Sequence, residues 1–398
     1  MSDAVLEAGT ILVEGGRIVR VGRDVAVPAG ARVIDLGGYT CLPGLIDCHT
    51  HLMDRPGETG DETYHLRSSA ADVALRAVDN ARRTLEAGFT TVRDVGTYHA
   101  FADVALRGAI EAGEVAGPRM QVAGFYVTIP GGGGELNSFS PDFALPSHLR
   151  FGVATGEGDV RRVVREAARQ RVDLIKVIAS GAFLAVGSAP RSPAFTAGEI
   201  RAAVSEAEKW GLRVAAHAHG DLSIVEAARA GVASVEHGSF IAGSGIRAML
   251  RSRTYLVPDL YDGVYIERQA RALGWPEEYV RKQEESRRAW PASIRRAYEA
   301  GVRIAYGTDA AVYPHGDNGR QFALMREWLG MSPMEAIRSA TSVAAALMGW
   351  EERVGSLAPG RFADVVAVAG DPLEDLRLLE SVPFVMKGGE VVTDERAL

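Results

Sequence analysis

The chain has 398 residues, 47% hydrophobic and 24% charged, an ordinary globular composition with room for one large domain and a smaller one. A net charge of -7 and a pI near 5.8 argue against a nucleic-acid partner, which selects for a basic face. Only two cysteines, Cys41 and Cys48, are present, too few and too close for a disulfide framework, and no apolar run reaches the ~18 residues of a membrane span. Both read as small core residues. Met1-Ser2-Asp3-Ala4 lacks a basic and apolar leader pattern, so a cytoplasmic location is expected. The expected partner is a small-molecule substrate, not a membrane or nucleic acid, with the chain assembled as a homo-oligomer.

Residues 1–40 read as short strands and turns. Runs at 10–13 and 17–22 flank Gly15-Gly16, a hairpin signal, and 32–36 reads as a further strand. The far end has the same texture: strands at 364–368, 383–387 and 390–392, with Gly388-Gly389 between the last two. Two β-rich ends around one long middle predict a small β-sandwich formed by both termini, 1–42 plus 353–398.

The middle, 43–352, alternates strand-like runs with amphipathic helical stretches, the pattern of parallel βαβ units. Strands are expected at 45–49, 90–94, 120–124, 174–178, 213–217, 234–237, 255–258 and 303–309. Helices such as 72–87, 159–170, 198–210 and 222–230 fall between them. Eight such repeats have the size of a (β/α)8 TIM barrel, an α/β fold. A doubly wound open sheet is the alternative, but no Gly-x-Gly-x-x-Gly helix start follows the first strand. Residues 128–151, with four consecutive glycines, form a long loop after strand three that either covers a site or is a mobile hinge.

Polar residues at the strand ends carry the chemistry. The first strand runs from Pro43-Gly44-Leu45-Ile46 into His49-Thr50-His51, and residues two apart on a strand face the same way. The fourth carries Lys176, the fifth ends at His217, the sixth at His237 and the eighth at Asp309. Four imidazoles, a lysine and a carboxylate at one barrel mouth make sense around positive charge. A protonated lysine would repel a cation, whereas a neutral amine can take up carbon dioxide and become an anionic carbamate. A Schiff-base lysine is the rival, but it leaves the histidines and the aspartate unexplained.

These residues resemble the amidohydrolase superfamily. Pro43-Gly44-Leu45-Ile46-Asp47-x-His49-x-His51 is similar to its first-strand signature, and Glu236-His237-Gly238 and Gly307-Thr308-Asp309 to its sixth- and eighth-strand motifs. The stretch from Val354 to Asp364 resembles the return into its small sandwich, and Lys176 with Ala179-Ser180-Gly181 resembles the imidazolonepropionase-like and Xaa-Pro dipeptidase-like branch. The resemblance implies two divalent metal ions, taken as zinc. His49, His51 and Asp309 would hold the more buried ion, His217 and His237 the more exposed one, with N-carboxylated Lys176 bridging. Asp309 would also move the proton. Tyr261, soon after strand seven, matches where peptidase members place a tyrosine on the scissile carbonyl oxygen. His219 shares the parity of His217 but lies past the expected strand end, as a supporting or substrate-contacting residue.

The resulting expectation is hydrolysis of an amide bond in a small molecule, a dipeptide or N-acyl amino acid. Arg191, His315 and Arg320 are the candidate partners for a substrate carboxylate. Gly131-Gly132-Gly133-Gly134 departs from the Gly-Gly-His-Gly pattern of peptidase relatives, which leaves arylamide or phenylurea hydrolysis, or a lactonase, as alternatives. A mononuclear deaminase and a non-catalytic scaffold on this fold are the further rivals. The first would not need Lys176; the second would have lost ligands.

Overall fold

The computed structural model describes residues 5–396; Met1–Ala4, on which the leader reading rests, and the last two residues lie outside it. The protein is an α/β fold built on parallel strands. Leu45–Thr50, Phe89–Asp94 and Arg119–Val122 pair in that order, and Tyr126–Val127, Leu174–Ile178, Arg213–Gly220, Ser234–Phe240 and Tyr255–Val257 form a second parallel run. Leu45–Thr50, Phe89–Asp94 and Leu174–Ile178 are buried along their whole length, as expected of strands covered on both faces.

Two sequence expectations need correction here. Strand three is not continuous over 120–124: it stops at Val122, Gly124 turns to a φ of +81°, and pairing resumes at Tyr126. Nor is 303–309 a regular strand. Only Ile304 and Ala310 make bridges, yet the segment bonds both flanks, through Ala305 N–H to Leu256 O on one side and Cys48 N–H to Tyr306 O on the other. The last member of the series is thereby hydrogen-bonded to the first.

The intervening helices sit close to their expected places. Ala70–Glu86 and Ala197–Glu208 both start on capping boxes, Ser69 with Asp72 and Thr196 with Glu199. Such a box satisfies two otherwise orphaned N–H groups and fixes the helix start. Their apolar faces close on the strands, and each fully buried Val, Ile or Leu contributes about 1.5–3 kcal/mol. Cys48 is buried among Ile46, Val257 and Ala344, and Cys41 is half-buried, in keeping with their reading as core residues.

The two ends of the chain meet. Tyr39–Pro43, which the sequence reading did not mark as a strand, pairs antiparallel with Val365–Ala369. Phe384–Lys387 and Glu390–Asp394 extend the same four-stranded sheet. Thr10–Glu14 and Arg17–Gly22 form the expected hairpin, tied to the C-terminal segment by Ile18 N–H to Arg361 O. The strand expected at 32–36 is absent. Val33 there is 71% exposed, so its β-branched side chains have no partner sheet to bury them.

Candidate metal centre

Strand ends on one side of the array deliver the polar residues into a single cavity of about 140 Å³. His49, His51, Lys176, His217, His219, His237 and Asp309 all line it. Local backbone features make this convergence possible. His237 and Asp309 have φ values of +67° and +56°, a conformation that costs non-glycine residues energy and clusters at functional sites. The turn at His237 breaks strand alternation, so that consecutive Glu236 and His237 both reach groups around His49. Gly307 is needed because a Cβ there would lie 2.2 Å from Val257 and 2.8 Å from the Cβ of His49. That close approach lets Asp309 N–H bond the His49 carbonyl at 2.8 Å.

Hydrogen bonds fix which nitrogen of each imidazole is free. A carbonyl only accepts, so His51 must donate from Nδ1 to Gly96 O at 2.8 Å, and His217 from Nε2 to Gly181 O at 3.1 Å. His49 places Nδ1 2.9 Å from Glu236 Oε2, and His237 places Nδ1 2.6 Å from Asp259 Oδ2. Donation outward leaves lone pairs on Nε2 of His49, His51 and His237 and on Nδ1 of His217. The free Nε2 atoms of His49 and His51 lie 3.4 and 3.2 Å from Asp309 Oδ1, and buried His49 Nε2 has no hydrogen-bond partner among the described residues. Lone pairs facing a carboxylate repel one another unless a cation lies between them. The donor set therefore fits a divalent metal, and ligating atoms of His49, His237 and Asp309, and of His217, His219 and His237, form groups within 4.8 Å.

The electrostatics agree with ligation. Burial holds His217, His219 and His237 well below the ordinary imidazole range, which keeps them neutral, the ligating form. Burial opposes the Asp309 carboxylate, but His49 and His51 outweigh it and keep it ionised. Lys176 is 2% exposed, and burial lowers its ammonium to about 8, so neutral amine is accessible near physiological pH.

Several contributors were missed by the sequence reading. Arg93 donates to both oxygens of Glu236 at 2.9 and 3.0 Å, and behind His49 this forms a buried ion pair; the Glu236-His237 motif marks the position but not the role of its glutamate. Asp259 supports His237, and Tyr126 lines the cavity with its hydroxyl 3.1 Å from His51 Nδ1. The fifth strand runs past its expected end at His217 to Gly220 and carries His219 inside. Its ring stacks 4.6 Å from that of His237, and its Nδ1 meets Ser239 Oγ at 2.8 Å.

Four expected substrate contacts do not line the cavity. Tyr261 packs edge-on against Tyr313, with Arg320 over its ring. Arg320 pairs with Asp317 at 3.2 Å, and exposed Arg191 lies 3.7 Å over the Phe240 ring. His315 is buried with Nε2 on the carbonyl of Asp54. Each already has a structural partner.

The amidohydrolase family model matches residues 40–392. The chain belongs to the amidohydrolase family. This amidohydrolase is 30% identical over 372 residues to ochratoxinase from Aspergillus niger, covering 88% of this chain and 75% of that protein. A solved Xaa-Pro dipeptidase with methionine in its active site superposes with a TM-score of 0.89 at 34% identity, covering 96% of this chain and 94% of the other. A prolidase complexed with N-methylphosphonate-L-proline gives 0.88 at 30% identity, over 96% and 94%. The enzyme is thus a hydrolase of carbon–nitrogen bonds.

Proposed function

We propose that this amidohydrolase is a binuclear metal-dependent enzyme that cleaves an amide bond in a small molecule, with an amino acid-like substrate such as a dipeptide. The carrying observation is the convergence on one cavity of outward-donating imidazoles, Asp309 and a Lys176 that has no partner among the described residues. In this reading 43–352 closes as a (β/α)8 barrel, and 1–42 with 353–398 forms the small β domain beside it.

His49, His51 and Asp309 would hold one ion and His217 and His237 the other, with Lys176 between them. Two zinc-like ions in this place would supply Lewis acidity and acidify water near neutral pH. Lys176, once its neutral amine adds carbon dioxide and loses a proton, contributes two oxygens and a negative charge. Asp309 takes the proton of the attacking water and passes it to the departing amine. Glu236 and Asp259 hold His49 and His237 in the ligating tautomer, and Arg93 holds Glu236.

The cavity's Phe183, Tyr98, Tyr279 and Trp290 favour a second substrate form, an arylamide or arylurea, on the same centre. Elemental analysis of protein grown with added zinc, followed by a screen of dipeptides, N-acyl amino acids, anilides, ureas and lactones, tests the proposal. About two ions per chain and amide turnover are expected. One ion with ammonia release would replace it by a deaminase.

A further inference from the structure

The polar lining of the cavity has a marked asymmetry. Asp54, Glu62, Asp259, Asp262 and Asp309 all line it, whereas Lys176 is the one lysine or arginine among the described residues that does so. Asp259 and Asp309 are committed to the histidines. Asp54 is not. Its backbone is pinned on all sides: N–H to His51 O, and carbonyl to Asn80 Nδ2 and His315 Nε2. Its carboxylate makes no hydrogen bond among the described residues, although the residue is 8% exposed and Oδ1 is buried. A buried carboxylate held in place and left without a donor is costly unless something else supplies one.

The surroundings say what would supply it. Tyr98 and Tyr126 line the same cavity, and tyrosine rings attract cations; Tyr279 lines it too, with Lys282 Nζ already 6.0 Å from its ring centroid. Glu62 adds a second acid at this rim. Its Oε2 accepts Asn137 N–H and Ser138 N–H at 2.8 and 2.9 Å, holding the glycine-rich loop over the cavity. None of the candidate carboxylate partners, Arg191, His315 and Arg320, lines the cavity, and the Nε2 of His315 is taken by the Asp54 carbonyl.

We infer that Asp54 is a specificity residue that accepts a protonated amine of the substrate, so that the preferred substrates are aminoacyl amides with a free ammonium group. This inference rests on the amidohydrolase reading above and narrows it: an N-acylated amino acid lacks the group that Asp54 would hold.

Three anilides differing at one position test it: alanyl anilide, which carries an ammonium group; isobutyryl anilide, with methyl in its place; and the methylmalonyl half-anilide, with a carboxylate. Binding to the metal-loaded protein is measured by calorimetry, and turnover by release of aniline. Alanyl anilide should bind about 10- to 100-fold tighter than isobutyryl anilide, the usual range for a hydrogen bond to a charged group, with the carboxylate weakest. In Asp54→Asn the ratio of alanyl to isobutyryl affinity should collapse towards one. Equal or tighter binding of the isobutyryl or carboxylate compound by the wild type would overturn the inference, as would a ratio that survives in Asp54→Asn. If that variant does not fold, the wild-type order decides. If no compound is turned over but the binding order holds, the hydrolytic reading fails while the role of Asp54 stands.

Discussion

Oε2 of Glu236 lies 2.9 Å from Nδ1 of His49, while Arg93 grips both oxygens of the same carboxylate from behind. Burial works against the Glu236 carboxylate, but Arg93 and His49 hold it well below the usual range, so it stays charged. Glu236→Gln keeps the shape and removes the charge, leaving Arg93 buried without its partner. We expect a loss of about 3–5 kcal/mol in denaturant unfolding. Metal affinity should fall about 10- to 100-fold by chelator competition. Wild-type behaviour in both assays would remove Glu236 from its supporting role.

Lys176 has no hydrogen bond or ion pair among the described residues, is buried, and lines the cavity that the histidines share. Lys176→Ala should lose a metal ion and at least ~100-fold in turnover, since it removes a ligand of the activating ions. Short-chain carboxylates added to the variant should restore part of the activity. Full activity with full metal content would refute the carbamate.

Asp309→Asn keeps an oxygen near His49 and His51 but cannot take a proton. A drop in kcat of at least ~100-fold, with most metal retained, is expected from the usual size of general-base effects. Turnover near normal would assign the proton to another group.

The metal-stripped protein should depend on pH through Lys176. Burial lowers its ammonium from 10.5 in the unfolded chain to about 8 in the fold, so the unfolded state binds more protons between those values. Stability must then rise with pH from about 8 to 10.5, and the penalty is fully present below 8. The gain is ~3 kcal/mol by the usual conversion. Denaturant midpoints in carbon dioxide-free buffer measure it, against Lys176→Met, in which this rise should be missing.

Tyr126 and Tyr261 separate the site from its surroundings. Tyr126 meets His51 at 3.1 Å, whereas Tyr261 packs on Tyr313 outside the cavity lining. Tyr126→Phe should lower kcat/KM about 10-fold through the loosened ligand, the lower end of such effects. Tyr261→Phe should change it by less than half as much on a logarithmic scale. The reverse order would return Tyr261 to the reaction.

Much of this protein was legible in the chain because its signals are local. Strand alternation put His49 and His51 on one face, and repeated strand-helix units specified a parallel α/β array. The positions of Lys176, His217, His237 and Asp309 at strand ends followed from the same periodicity, and all of them line one cavity. Tertiary structure decided what depends on distant partners. Arg93 and Glu236 are 143 residues apart in sequence, and nothing local pairs them. Tyr261, Arg191, His315 and Arg320 were placed by sequence proximity to strand ends, but packing against Tyr313, Phe240 and the Asp54 backbone turned them elsewhere. The strand expected at 32–36 had the right residues and no sheet edge to receive them. The significance of Asp54 is a missing partner, which no local pattern in the sequence carries and which exists only once every neighbour is in place.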